Sequence, residues 1–529
     1  MIDGGERKWV LRFAGIFMLV TMLPYVLGYF AAGEEWRYSG LLIAAEDGNS
    51  YLAKMMLGSS GDWLFRTPYT PFEQDGFLAF LPYILLGKLV SPPGAHEQLV
   101  ALFHAFRIAG GFLYIYGSYV FIAQFLQKIR WRRWAVVLAT AGGGLGFLSV
   151  LGLGSLWGDR LALEFYSPET FGFLSVLALP HLAAGRGMLL LGLSAYIRAK
   201  DDARPFQRGL LAGLWWLGLG FMQPLTVVVA WAIAGAHLAG GVVGCALKRL
   251  DWRTWRSYLL KAVGMGLVSM PIVVYTFLSF QVDAFLKNWQ TQNIITSPPF
   301  TDYLLAFGVA FILGVSAMWR LVRKMEWETM LLVTWVAIFP VLAYAPYNLQ
   351  RRLPEGVWVA FVLLALLGIN QWKPVGQKVG TGLLAAGMLS SLILFLGGLI
   401  GVTQPARPLF VPAAEVEMLD FLSEIASKGA VVLASYEVSN ELPAWTPVTT
   451  LIGHGPESVR LAEIRPRVEA FAELETTDLE RKELLDEFGV DYVILETVNF
   501  PKIRWVPELS EYLTLVYSNE QWKVFQVER

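Results

Sequence analysis

Charged residues are scarce in this chain of 529 residues: they make up 16% of it, against 55% hydrophobic residues and a mean hydropathy of +0.49. A soluble protein of that length needs a charged surface this composition does not supply, so the chain reads as a membrane protein. Cysteine is nearly absent. The one example, Cys245, excludes an intrachain disulfide and a cysteine-held metal centre. The five histidines, at 96, 104, 181, 237 and 454, form no HxH or HExxH spacing, so a histidine zinc site is not expected. Walker, GxSxG and Rossmann glycine patterns are missing, which leaves ATP-driven and serine-hydrolase activities unsupported. There is no internal repeat, no low-complexity segment and no feature that points to nucleic acid.

The charge that is present is unevenly divided. Residues 1–402 carry 31 basic and 21 acidic side chains, whereas residues 403–529 carry 11 basic and 22 acidic ones. A net charge of −1 therefore conceals a basic membrane body and an acidic tail. Apolar runs long enough to cross a bilayer lie near 9–31, 97–126, 135–153, 171–198, 222–246, 262–280, 300–319, 329–345 and 380–402, with shorter ones near 209–221 and 356–371. The first run follows Arg7 and Lys8 without a cleavage site and reads as a retained helix. Arg7, Lys8, Arg12 and the stretches 127–134, 198–208, 248–261, 319–328 and 371–378 hold 21 of the body's 31 basic residues, which assigns them to the cytoplasm. The result is about eleven crossings, with the N-terminus inside and the tail outside. The run 76–91 fits that count as a re-entrant or interfacial hairpin; the alternative is three short spans made from it and a split 97–126.

The expected architecture is thus mainly α: a polytopic helical bundle over 1–402, with a first outer loop at 32–75, and a small extracytoplasmic α/β domain over 403–529. In the tail, 431–435, 491–496, 513–518 and 523–527 read as strands, and 415–427, 457–473 and 478–488 as helices. At 127 residues the tail is long enough for its own core and is expected to fold when expressed from about Val411.

Several polar residues need a reason to be where they are. In the first outer loop, Glu46 and Asp47 follow an apolar stretch, placing two carboxylates at a membrane surface where they can act as a base or hold a metal. The plainer reading is an exposed helix N-cap. Arg107 interrupts an apolar run and needs an anionic partner or an aqueous cavity. Arg351 and Arg352 form a pair in a short outer loop, where guanidinium forks suit phosphate or, equally, lipid headgroups and Glu355. His181 and Arg186 break another apolar run after Pro180, as a cavity lining or as satisfied core residues. Aromatic and amide side chains that could hold a sugar occur as Trp289, Gln290 and Asn293 in one outer loop, and as Trp157 with Asp159 in another; an interfacial tryptophan anchor is the alternative.

Together these positions resemble the GT-C superfamily of integral-membrane glycosyltransferases, which includes the protein mannosyltransferases and the bacterial lipid A aminoarabinose transferase. The similarity covers roughly residues 8–402 in arrangement: an N-terminal helix, a long outer loop with an acidic pair, re-entrant pieces and a C-terminal outer domain. It implies that Asp47 or Glu46 is the catalytic carboxylate. It also implies that Arg107, Arg351 and Arg352, with His181 and Arg186, grip the phosphate of a polyprenyl-phosphate sugar donor. The acceptor would be a glycan, lipid or protein, and the setting a bacterial inner membrane and its lipids. The pair reads Glu-Asp where the protein mannosyltransferases have Asp-Glu, and no second DxD is present. A divalent cation, Mg or Mn, on Glu46 and Asp47 stays open. The tail string VLASYEVSNELPAWTPVTTLIGHGPES resembles the outer tails of uncharacterised bacterial members and implies no chemistry by itself. Competing classes are a non-catalytic envelope scaffold and a transporter or flippase, the latter expected to show two related halves.

The topology is directly testable. With Cys245 replaced, a cysteine at position 458 should react with an impermeant reagent from the outer face, while one at position 127 should not; the reverse pattern would overturn the orientation.

Overall fold

The computed structural model describes residues 2–158, 160–198, 203–497 and 505–528, so Asp159 lies outside the described residues. The chain opens with α1 (Gly4–Ala31), β1 (Trp36–Tyr38), α2 (Ala45–Ser59), α3 (Leu81–Gly87), α4 (Ala95–Ile122) and α5 (Ile129–Ala141). It continues through α6 (Gly172–Ala178), α7 (Pro180–Ile197), α8 (Pro205–Met222), α9 (Pro224–Ala246), α10 (Trp252–Val282) and α11 (Ala284–Gln292). Then come α12 (Phe300–Lys324), α13 (Trp327–Ala343), α14 (Val357–Ile369), α15 (Pro374–Ala386) and α16 (Met388–Gly401). Four of these helices begin on proline, at Pro180, Pro205, Pro224 and Pro374, where the missing N–H costs no hydrogen bond. Pro180 divides the run 171–198, which hydropathy reads as continuous, into α6 and α7, while α8 and α9 follow the expected break between 209–221 and 222–246.

Among the described residues, six segments are long and apolar enough to cross a membrane: α1, α4, α9, α10, α12 and the continuous stretch Pro374–Gly401. The shorter helices α13 and α14 are apolar as well, while α5 ends at Ala141, short of the expected run 135–153. The protein is an integral membrane protein. The segment 97–126 is one helix rather than two. At seven residues, α3 spans about 10 Å, too little to cross a bilayer.

One compact unit consists of Met1–Leu23, Ala105–Phe277 and Ile294–Gly398. Here α14 is buried on nearly every side, which is why it is apolar around its whole circumference. Small residues let helices meet backbone to backbone: a Cβ at Gly117 of α4 would stand 2.7 Å from the carbonyl oxygen of Gly187 in α7.

The second unit consists of Pro24–His104, Leu278–Asn293 and Leu399–Arg529. Its further elements are β2 (Phe410–Pro412), α17 (Ala413–Ile425), β3 (Val431–Leu433), α18 (Tyr436–Trp445), β4 (Thr449–Thr450), α19 (Leu461–Ala470), α20 (Asp478–Phe488), β5 (Tyr492–Glu496), β6 (Leu513–Ser518) and β7 (Trp522–Val527). A five-stranded sheet runs β4-β3-β5-β7-β6, with β3 parallel to β4 and β5, and β7 antiparallel to β5 and β6. Alternate side chains enter two cores: Val432, Ile494 and Val524 pack with Met418 and Leu442, while Leu433, Val493 and Phe525 pack with Ile464 and Leu484. The expected strands 491–496 and 523–527 are the paired β5 and β7. Helix α18 and strand β4 were not expected. Pro443 inside α18 and the two-residue length of β4 mask both from periodicity.

The tail shares this unit with the first outer loop. Strand β2 pairs antiparallel with β1, Phe410 opposite Tyr38, and Thr450 N–H donates to the Pro68 carbonyl at 2.8 Å. Ser458 is fully buried, its Oγ accepting from Gly453 and His454 N–H, so exposed Ser423 is the better outer-face position for cysteine labelling. A fragment beginning at Val411 lacks the first-loop partners. Its amides at 454–458 should exchange with solvent much faster than in the intact chain; equally slow exchange would show that the tail holds this turn unaided.

Candidate functional site

The first-loop helix α2 carries the acidic pair in its opening turn. Ala44, before it, adopts a left-handed conformation (φ 52°, ψ 53°) that turns the preceding loop into the helix. Glu46 and Asp47 then lie where the positive end of the helix dipole favours carboxylates. Two glycines fix α2 against α3: a Cβ at Gly58 would fall 2.0 Å from the Ile84 carbonyl oxygen, and one at Gly87 1.8 Å from that of Met55. No other residue permits that approach. Positions 46, 49, 50 and 54 follow helical spacing and share the face that meets α18 and the tail turn His454–Ser458.

The two carboxylates have different surroundings. Glu46 Oε1 accepts from the Tyr436 hydroxyl at 2.6 Å and from Gly455 N–H at 3.0 Å. Asp47 Oδ1 lies 3.2 Å from His454 Nε2, and the Asp47 side chain is 53% exposed. On the other side of the imidazole, Nδ1 is 3.5 Å from Glu457 Oε1. Glu457 is buried and accepts from Lys54 Nζ at 2.6 Å, Ser50 Oγ at 2.8 Å and Thr67 Oγ1 at 2.9 Å. Lys54 lies 4.3 Å from the centre of the Phe80 ring, and Tyr69 packs on His454 at 5.7 Å. Burial works to raise the Glu457 carboxyl, but the Lys54 ammonium and His454 outweigh it and hold it below its usual value. Burial and the Glu46 carboxylate push the Tyr436 phenol well up, so at neutral pH it is a donor.

Successive helical residues point about 100° apart, and Glu46 turns to Tyr436 and Gly455 while Asp47 turns to His454. Among the described residues, no group of three or more His, Cys, Asp or Glu side chains is arranged to hold an ion.

Of the expected sugar-holding residues in this unit, Trp289 belongs to an aromatic cluster with Phe65, Phe80, Phe280 and Phe285. Gln290 lies within α11 and Asn293 caps its C-terminus. Gln292, between them, donates to the Ser458 carbonyl at 2.9 Å and fastens α11 to the tail turn. Gln292, Gly455, Pro456, Leu461, Arg465 and Glu469 border a cavity of about 530 Å³.

The other unit holds the cationic candidates. Arg107 is fully buried; its Nη1 donates to Thr21 Oγ1 at 3.1 Å and to the Val176 carbonyl at 3.2 Å. Arg186 is enclosed, with Nε on Glu355 Oε1 at 2.6 Å and Nη2 on the Pro168 and Glu169 carbonyls. Arg352 lies 3.3 Å from Glu169 Oε1. Arg351 differs: its guanidinium lies 4.6 Å from the centre of the Tyr166 ring, and its Nε has no hydrogen-bond partner among the described residues. His181 is the second residue of α7 and is buried, as is Trp157. Arg160, not singled out from the sequence as a site residue, grips buried Asp302 through two bonds of 3.0 and 2.8 Å.

Sequence reasoning missed Lys54, Tyr436, His454 and Glu457. The signal was present in the string HGPES and in a lysine on the apolar face of α2, but nothing local pairs residues 403 positions apart.

No protein-family profile matches the chain, and no curated protein sequence does. Solved structures do. The chain is similar to the Archaeoglobus fulgidus oligosaccharyltransferase tethered with an acceptor peptide, at 13% identity and TM-score 0.52 over 99% of this chain and 74% of that one. It is similar to ArnT from Cupriavidus metallidurans bound to undecaprenyl phosphate, at 13% identity and TM-score 0.52 over 97% of this chain and 98% of that one. It is also similar to arabinofuranosyltransferase AftD from Mycobacteria, at 15% identity and TM-score 0.59 over 99% of this chain and 42% of that one. The chain has the fold of the GT-C glycosyltransferases.

The buried ion pair yields a stability prediction. Lys54→Met leaves Glu457 buried without its ammonium and should cost about 3–5 kcal/mol, with Lys54→Met/Glu457→Leu recovering much of the loss. Because the Glu457 carboxyl is depressed in the folded state, its stabilisation is present above the unfolded value of about 4.3 and is lost as pH falls through the lower folded value. Thermal melts of the wild type and of the double variant, compared as the pH is lowered, should show the acid-labile component in the wild type alone.

Proposed function

From the shared GT-C fold, we propose that this protein is a membrane glycosyltransferase that moves a sugar from a polyprenyl-phosphate donor to an acceptor at the extracytoplasmic face. One observation carries the reading: nearly the whole chain follows a fold whose solved members include ArnT bound to undecaprenyl phosphate and the A. fulgidus oligosaccharyltransferase in complex with a dolichol-phosphate. The concentration of basic residues on the segments assigned to the cytoplasm supports the orientation. A bacterial inner membrane and a glycan, lipid or protein acceptor belong to the same proposal.

In the step we propose, an acceptor hydroxyl or amine gives its proton to the Asp47 carboxylate as its heteroatom bonds to the anomeric carbon. The bond from that carbon to the phosphate oxygen breaks, and the electron pair leaves with the phosphate. Asp47 is assigned the base because its exposed carboxylate faces His454 Nε2, whereas Glu46, exposed as well, already accepts from Tyr436 and Gly455. Arg351 is assigned the departing phosphate, since its guanidinium rests on an aromatic ring rather than on a carboxylate. Arg107 and Arg352 supply further positive charge, and Arg186 and His181 shape the same region of the chain. Trp289, Gln290, Asn293 and Trp157, with Asp159, remain sugar-contact candidates. A structure of the A. fulgidus relative is a complex with Zn and sulfate; here the diverging Glu46 and Asp47 side chains lead us to write the step without a metal.

Sugar release from a panel of undecaprenyl-phosphate-linked pentoses and hexoses, with an alcohol acceptor, tests the reading. Asp47→Asn should lower the rate about 100-fold to 10,000-fold while leaving the thermal midpoint nearly unchanged. Arg351→Gln should weaken binding of undecaprenyl phosphate by the loss of one charge-assisted bond, about 1.5–3 kcal/mol. Parental transfer by Asp47→Asn would refute the assigned base and favour the scaffold reading.

A further inference from the structure

His454 has no role in the step as written, yet its position is built with care. It is buried, its Nε2 faces Asp47 Oδ1 at 3.2 Å, and its Nδ1 faces Glu457 Oε1 at 3.5 Å. Nδ1 has no hydrogen-bond partner at that longer distance. Glu457 cannot turn away, because Lys54, Ser50 and Thr67 occupy both its oxygens. Ser458 Oγ accepts from the backbone N–H of His454 at 3.2 Å, and Tyr69 packs against the ring, so the imidazole is fixed in both place and plane.

Two carboxylates therefore confront the two ring nitrogens. At 3.2 Å from Oδ1, Nε2 is within hydrogen-bond reach of Asp47, and an N–H there fixes the direction in which that carboxylate points. Around His454 and Tyr69, the titratable and charged groups are Glu46, Asp47 and Lys54 from α2, Glu457 from the tail turn, Tyr436 and Glu441 from α18, and Arg465 from α19, whose guanidinium lies 4.6 Å from the centre of the Tyr436 ring.

We propose that His454 is a positioning residue for sugar transfer: held between Glu457 and Asp47, its ring donates from Nε2 to Asp47 Oδ1 and aims that carboxylate at the acceptor's proton. Glu457 and Lys54 act through it. This inference rests on the glycosyltransferase reading and adds that the tail turn, by way of His454, is part of the transfer machinery.

The test uses the full-length protein and the same undecaprenyl-phosphate sugar panel, with kcat and KM measured for the wild type, His454→Gln and His454→Phe. Gln keeps an N–H for Asp47, so His454→Gln should retain partial kcat. His454→Phe should lower kcat by about 100-fold at unchanged KM, with undecaprenyl phosphate binding as the check that the protein is folded. A wild type that transfers no sugar from any donor in the panel refutes the glycosyltransferase reading, and this inference with it. An active wild type matched in kcat by His454→Phe, or a His454→Gln variant no faster than His454→Phe, refutes the role of His454 alone.

Discussion

The buried contact between Lys54 and Glu457 is the constraint on which the unit holding the first loop and the tail depends. Two full charges are taken out of water, and each is tolerable only because the other stands 2.6 Å away with Ser50 and Thr67 completing the carboxylate's bonds. The partners are 403 residues apart in sequence, on either side of nearly all the membrane-crossing segments. Helix α2 and the tail turn thus stabilise each other only after the chain between them has been laid down. Loop closure over such a separation is unfavourable, and the surrounding bonds, Asn49 to Asn440 at 2.9 Å and Tyr69 to the Asn440 carbonyl at 3.0 Å, help offset it.

Charge in the membrane body follows the same rule with different partners. Arg186 meets Glu355 through Nε, Arg132 meets both oxygens of Glu6 through Nη1, and Arg160 grips Asp302 with the two arms of its guanidinium fork. For buried Arg186 the pair explains a cation inside an apolar run without assigning it any chemistry. Arg351 breaks the pattern: among the described residues it pairs with no carboxylate, and its guanidinium lies on the Tyr166 ring. A buried ion pair and a ligand-binding arginine look alike in the sequence; the partner tells them apart.

The features legible in the sequence are those written in local patterns. Runs of apolar residues give the spans, and alternation in 491–496 and 523–527 gives the paired strands of the tail. Breaks that depend on a single residue are harder, as when Pro180 divides the apolar stretch 171–198 into separate helices. Helix α18 escapes notice because Pro443 lies inside it, although Ser435 caps it by accepting from Val438 N–H. The acidic pair of the first loop stands out because two carboxylates interrupt apolar surroundings. Its partners His454 and Glu457 do not, because they become informative only through contacts that cross the whole chain. The tail string that carries them looked like kinship without chemistry, and it holds the imidazole that faces Asp47.

The sequence favours Asp47 over Glu46 because Gly48 and Asn49 follow it, and the contact with His454 sets the two adjacent carboxylates further apart. On a helix, neighbours in sequence diverge, so the two side chains take different partners. Glu46 is committed to holding the tail: its Oε1 accepts from both a phenol and a backbone N–H of the segment that carries His454. Moving a proton onto it would weaken the attachment that positions the imidazole. Asp47 has a different contact, its Oδ1 3.2 Å from His454 Nε2, and both side chains keep exposed surface. The division along α2 is therefore one of partners: the phenol and backbone N–H of the tail fall to one residue and the imidazole to the next, so a proton taken by Asp47 leaves the bonds that hold the tail intact.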